Sequence, residues 1–216
     1  MYKTIVFDLD GTLLDTLDDL WAAVNEALKA HGLPTRTKEE VRGFVGNGAA
    51  NLMRLACGVE NYAEQAALLE DFHAYYRAHI ANYTKPYDGI VSLLERLKEA
   101  GIKTAVLSNK PDVAVKTLAK QYFQGLLTEA AGENEAAGIR KKPAPDALFS
   151  IMERLGATKA ETLYVGDSEV DIQTAKNAGV ACVSVSWGFK TKEFLRANGA
   201  ERIIDEPSEL SAFCGL

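Results

Sequence analysis

The chain begins Met1-Tyr2-Lys3-Thr4-Ile5-Val6-Phe7-Asp8-Leu9-Asp10-Gly11-Thr12. An apolar run rich in β-branched residues reads as a short buried strand. This one ends in two carboxylates one residue apart, followed by a glycine and a threonine. Two close carboxylates repel each other and are costly to remove from water, so positive charge is expected among them. Residues i and i+2 of an extended chain face the same side, so Asp8 and Asp10 can address one ligand.

Further strand signals follow. They are Gly101–Asn109 (GIKTAVLSN), Glu161–Asp167 (ETLYVGD), Ala181–Trp187 (ACVSVSW) and a weaker Arg202–Asp205 (RIID), with Leu126–Ala131 (LLTEAA) as a short edge strand. Helical periods fill the gaps. Ile90, Leu93, Leu94 and Leu97 recur at helical spacing before Gly101, as do Leu148, Ile151, Met152 and Leu155 before Gly156. Ser168–Ala178 reads as a helix stopped by Gly179. Strands alternating with helices predict an α/β fold, a doubly wound, Rossmann-like parallel sheet with helices on both faces.

One region breaks the alternation. Residues 15–87 hold no convincing strand but carry an apolar stripe, Leu17, Leu20, Trp21, Val24, Ala27 and Leu28. A second long helix is expected from about Asn61 to Asn82, with a shorter helical region between. Residues 1–14 and 88–216 are therefore expected to form an α/β catalytic core and residues 15–87 an inserted all-helical cap. Short links near Leu14–Leu17 and Thr84–Asp88 would let that cap rock.

The bulk properties narrow the function. The net charge of the 216 residues is −6, without the basic face that nucleic-acid binding requires. Cys57, Cys182 and Cys214 form no closely spaced pair and fit a reducing compartment; His31, His73 and His79 lack metal-ligand spacing. No apolar run reaches the ~18 residues of a membrane span, and no leader is evident. A cytoplasmic protein is expected, monomer or homodimer, with no nucleic-acid or membrane partner.

Ligands of an open parallel sheet bind beyond the carboxyl ends of its strands. The predicted strand ends bring Asp8, Asp10 and Thr12, then Ser108-Asn109-Lys110, then Asp167-Ser168 with Asp171, to one edge, and a loop adds Lys141-Lys142-Pro143. Asp8, Asp10 and Asp167 are too anionic to stay ionised together without a cation, and Mg²⁺ suits oxygen ligands plus a phosphate. A hydroxyl and a lysine opposite it could hold the other phosphate oxygens. An ionised aspartate could attack phosphorus, and a carboxylate two residues on could shuttle the proton. Lys110 reads as a surface residue near the site mouth or a substrate contact. Of the paired lysines, the Lys-Pro-x-Pro pattern favours Lys142 for the site.

The sequence DLDGT, then LSN, KP and GDSEVD, in that order from end to end, resembles the haloacid dehalogenase superfamily, in its phosphoglycolate phosphatase-like branch. The resemblance implies that Asp8 is the nucleophile and that Asp10 is the general acid/base with its carbonyl on Mg²⁺. It implies that Thr12 positions Asp10 and the turn, and that Ser108 and the Asn109 amide bind the phosphoryl group. Lys142 balances charge, Asp167 is a direct metal ligand, and Asp171 is a further metal-site carboxylate. The branch takes substrate contacts from its cap. Here Gly46-Asn47-Gly48 would open a helix whose N-terminal amides attract an anion, with Arg42 adding charge. The lead-in EAAGENEAAGIRK departs from the branch's usual Gly-x-Asp-x-Val, which leaves the placement of Lys142 less defined.

The implied function is Mg²⁺-dependent hydrolysis of a small phosphorylated metabolite, 2-phosphoglycolate first, through an aspartyl phosphate. Pyrophosphatase, sugar-phosphate phosphatase and phosphomutase activities remain alternatives. A receiver-like or phosphate-binding module is the non-enzymatic one; receivers are shorter and lack an insert.

Overall fold

The computed structural model describes residues 1–58 and 61–216, with only the main chain of Tyr62. The chain divides into two compact units, Met1–Leu14 with Pro86–Leu216, and Asp15–Lys85.

In chain order, β1 (Thr4–Phe7) and β2 (Leu14–Asp15) precede four helices, α1 (Leu17–Ala30), α2 (Lys38–Phe44), α3 (Gly48–Cys57) and α4 (Tyr62–His79). After β3 (Lys85–Pro86) come α5 (Ile90–Glu99), β4 (Lys103–Pro111), α6 (Asp112–Phe123), β5 (Glu129–Glu133), α7 (Asp146–Leu155) and β6 (Thr162–Gly166). The chain then finishes with α8 (Glu169–Ala178), β7 (Ala181–Val185), α9 (Lys192–Ala197), β8 (Ile203–Ile204) and α10 (Leu210–Cys214).

The first unit is a six-stranded parallel sheet in the order β5-β4-β1-β6-β7-β8. β1 pairs with β4 on one side and β6 on the other, so the strand order reverses there. That reversal opens a crevice at the carboxyl end of β1, where ligands of such sheets bind. Val6, Ala105, Leu107 and Tyr164 share one core with Leu148, Ile151 and Met152 of α7 and Ala175 and Ala178 of α8. The alternate residues Ile5, Phe7, Val106, Leu163 and Val165 are also buried, so both faces are covered and the strands read as near-continuous apolar runs. Gly156 and Gly179 end α7 and α8 in the left-handed conformation, as the sequence predicts. The edge strand appears as β5, a few residues later than expected.

The second unit is helical. α1 buries Leu17, Leu20, Val24, Ala27 and Leu28. Trp21, placed in that stripe by its spacing, instead lies at its margin, 37% exposed, and its indole N–H donates to the Arg36 carbonyl at 2.8 Å. Leu68, Phe72 and Tyr76, four residues apart, form the buried stripe of α4. Thr37 and Glu40 form a capping box on α2, and Asn61 accepts from the first amides of α4. Asp19 is buried and accepts from Tyr83 N–H, Thr84 N–H and the Thr84 hydroxyl, so the first turn of α1 secures the end of the unit. The links themselves, β2 and β3, pair as a two-stranded ribbon in a region expected to be strand-free. Among the described residues no helix is long and apolar enough to cross a membrane.

Candidate active site

Asp8 follows β1 at the crevice. Its N–H extends the sheet to the Val165 carbonyl at 2.8 Å. The chain then turns at Gly11, whose φ is +81°. A Cβ there would stand 2.4 Å from Asp167 Oδ2, so the turn needs glycine both for its conformation and for the close approach.

Asp8, Asp167 and Asp171 are buried, and each brings an oxygen within 4.8 Å of the others. Lys142 enters this group with its side chain 2% exposed. Its Nζ lies 2.9 Å from Asp8 Oδ1 and 2.7 Å from Asp171 Oδ1. The lysine is thus in the site despite the unusual lead-in, and Asn109 shows why. Asn109 Nδ2 donates to the Lys142 carbonyl at 3.0 Å, and Lys142 N–H donates to Asn109 Oδ1 at 2.8 Å. The side chain of Asn109 is committed to the main chain of Lys142.

Asp171 closes the capping box of α8, accepting from Ser168 N–H and Oγ. It also accepts from the Tyr164 hydroxyl at 3.2 Å, so it is engaged on both oxygens. Asp8 accepts Leu9 N–H at 2.7 Å on Oδ1, the oxygen Lys142 also reaches; Oδ2 is engaged by neither.

The charge balance sets the electrostatics. Burial, the Asp171 charge and Asp10 push the Asp8 carboxyl up to about 7, against the pull of Lys142. Burial, then Asp171 and Asp8, carry Asp167 well above the usual carboxylate range. Burial disfavours the charge on Lys142, but Asp171 and Asp8 outweigh it and hold the ammonium well above the usual lysine range. Three buried carboxylates, if all were ionised, would exceed the charge of the one buried lysine they face. The donors are all oxygen, which suits a hard divalent cation.

Asp10 stands apart from this trio. Its Oδ1 meets Lys110 Nζ at 2.9 Å. Lys110 is therefore not a surface residue: β4 runs on through it to Pro111, and Asp10 supplies the counter-ion that lets it be buried. Asp8 and Asp10 address one crevice but are held by different lysines. Ser108 is buried and accepts Lys110 N–H at 3.2 Å. The Thr12 hydroxyl lies 3.5 Å from Asp167 Oδ1, so it is turned toward the buried acidic cluster.

The loop after β7 also belongs to the site, which sequence reasoning missed. Phe189 N–H donates to Asp167 Oδ2 at 2.6 Å, and the Trp187 indole donates to the Thr12 carbonyl at 3.0 Å. A Cβ on Gly188 would lie 2.3 Å from Asp167 Cβ. The donors are a main-chain N–H and an indole that no motif marked in the sequence. The remaining predicted residues, Arg42, Gly46, Asn47 and Gly48, lie in the helical unit, where Asn47 stands at the N-cap position of α3 without a side-chain capping bond and Gly46 and Gly48 have positive φ.

A parallel sheet with a buried acidic cluster and lysine at its switch point defines the class: an α/β protein whose polar groups gather at the carboxyl end of β1, able to hold a hard cation beside a buried ammonium. The chain belongs to the haloacid dehalogenase-like hydrolases, whose family pattern it matches over residues 5–185. It is 36% identical over 219 residues to a phosphoglycolate phosphatase of Pseudomonas syringae pv. syringae, spanning 98% of this chain and 79% of that one. It is 33% identical over 218 residues to an N-acetylmuramic acid 6-phosphate phosphatase of Pseudomonas aeruginosa, spanning 96% and 92%. A crystal structure from Lactobacillus delbrueckii subsp. bulgaricus, of a protein provisionally assigned as a phosphoglycolate phosphatase, superposes with a TM-score of 0.92 at 36% identity, covering 98% of both chains.

Proposed function

We propose that the protein is a Mg²⁺-dependent phosphatase whose substrate is 2-phosphoglycolate. The observation that carries the reading is the buried Lys142, held between Asp8 and Asp171 beside Asp167. Asp8 and Asp167, with the Asp10 carbonyl, would hold the cation, and Asp171, occupied by Lys142, Tyr164 and Ser168, would stand behind them. Bound Mg²⁺ supplies charge neutralisation and a fixed seat for a phosphoryl oxygen.

Asp8 attacks phosphorus in line with the ester oxygen; a carboxylate–phosphorus bond forms and the ester P–O bond breaks. Asp10 gives its proton to the departing alkoxide. Lys142, the Ser108 hydroxyl and the Asn109 main-chain amide stabilise charge on the equatorial oxygens. Water then attacks phosphorus, Asp10 takes its proton, and phosphate leaves as Asp8 is regenerated. Thr12, through Asp167, and the turn it sits in keep this geometry.

The helical unit, residues 15–87 in our assignment, is proposed to act as a cap. The amides at Gly46-Asn47-Gly48 and the charge of Arg42 would receive the substrate carboxylate. A second reading, a sugar-phosphate phosphatase, is favoured by the similarity to the N-acetylmuramic acid 6-phosphate enzyme. Phosphate release with Mg²⁺ from 2-phosphoglycolate, N-acetylmuramic acid 6-phosphate, pyrophosphate and hexose phosphates separates them. Preference for 2-phosphoglycolate supports the first reading, and preference for a sugar phosphate replaces it with the second. Asp8→Asn should abolish release with the fold retained; undiminished turnover would remove Asp8 as nucleophile.

A further inference from the structure

The mechanism above uses Lys142 and leaves a second buried lysine unassigned. The Lys110 side chain is 5% exposed, and that of Asp10, 2.9 Å away, is 13% exposed. An exposed lysine beside an acid contributes little and keeps its hydration. Burying one gives up hydration and rotamer freedom, so its partner is held in one place. The backbone around Lys110 is specialised too. The pairing of β4 with β5 shifts register between Leu107 and Pro111. Irregularities of this kind re-aim side chains next to active sites. The N–H of Lys110 is tied to Ser108 Oγ, so the lysine and the proposed phosphoryl-binding hydroxyl share one strand end.

We infer that Lys110 is the positioning residue of Asp10, fixing its carboxyl where the leaving oxygen departs. The inference rests on the phosphatase reading above. The two buried lysines then have separate roles, Lys142 serving the attacking carboxylate and Lys110 the proton-transferring one. Lys110 therefore matters most for esters whose leaving oxygen must be protonated, and least for a phenolate that leaves unaided.

The test compares kcat/KM of the Mg²⁺-loaded wild type, Lys110→Met and Lys110→Arg on three esters. β-Glycerophosphate is an alkyl ester without a carboxylate, 2-phosphoglycolate is an alkyl ester with one, and p-nitrophenyl phosphate has a good leaving group. kcat/KM reports the first transfer, before water enters. General acid catalysis contributes about 10²–10⁴-fold, so Lys110→Met should lose at least about tenfold more on both alkyl esters than on p-nitrophenyl phosphate. Lys110→Arg, which keeps the charge, should recover most of that difference. Lys110→Gln replaces the methionine variant should the latter fail to fold, with the same bias expected. Equal losses on all three esters, or a loss confined to 2-phosphoglycolate and carried by KM, would overturn the assignment. A wild type that releases phosphate from none of them would overturn the phosphatase reading itself, and the inference with it.

Discussion

Replacing Lys142 by methionine keeps most of the side-chain volume and removes one buried charge. In the native site that charge lies 2.9 Å from Asp8 and 2.7 Å from Asp171, with its side chain 2% exposed. Removing one partner of a buried pair costs about 3–5 kcal/mol, because the remaining charge is left uncompensated. At about 2–4 °C per kcal/mol for a chain of this size, the melting temperature should fall by about 6–20 °C at pH 8 in EDTA. The loss should depend on pH. The Asp8 carboxyl sits near 7, above its ordinary value of 3.8. A carboxyl raised on folding stabilises the fold in acid, and that contribution fades as pH climbs from 3.8 through 7. Without Lys142 the Asp8 carboxyl moves higher still, so the variant loses more than the wild type between pH 5 and pH 8. At pH 5, below that value, Asp8 holds its proton in both proteins, and the Lys142–Asp171 pair carries most of the difference. Thermal unfolding followed by circular dichroism at the two pH values reads the gap directly. A gap that is equal at both, or wider at pH 5, would refute the reasoning.

The other predictions concern the cation, the loop after β7 and the helical unit. Mg²⁺ must displace protons from Asp8 and Asp167, both raised, so the rise in melting temperature it produces should be larger at pH 8 than at pH 5.5; an equal rise would show that these carboxyls do not bind it. Gly188→Ala puts a methyl 2.3 Å from Asp167 Cβ, and should cost about 1–3 kcal/mol with about 10–100-fold weaker Mg²⁺ binding, read by titration of thermal stability. Asp19→Ala leaves the Tyr83 and Thr84 amides without their acceptor, and should lower stability by about 2–4 kcal/mol and expose the link near Thr84 to proteolysis.

What could be read from the sequence follows from where chemistry-bearing side chains sit. Asp8 and Asp167 were legible because each follows an apolar strand, and Ser108 because it closes the apolar part of one, where polar side chains of a parallel sheet stand out. Lys110 was misread because a lysine past a predicted strand end looks solvated; its burial depends on Asp10, one hundred residues earlier, and on β4 extending to Pro111. The Phe189 contact was illegible in another way, since its donor is a main-chain N–H that any residue would supply. Helix α6 had no marked bounds in the sequence: its residues Val115, Leu118, Ala119 and Phe123 are buried, but its start follows the strand with no loop to announce it. Trp21 was misplaced because periodicity assigns a face, whereas the indole N–H sought the Arg36 carbonyl at its margin.

The clamp that Asn109 places on the main chain of Lys142 has a consequence for how the chain can change. The lysine's address is written at its own peptide group, by a residue 33 positions away, so the stretch leading up to it carries little of that information. Residues 134–140 are thus the stretch on which the placement of Lys142 depends least. A graft there should leave the position of Lys142 as it is, whereas exchanging Asn109 for leucine should remove both bonds to its peptide group with every loop residue intact.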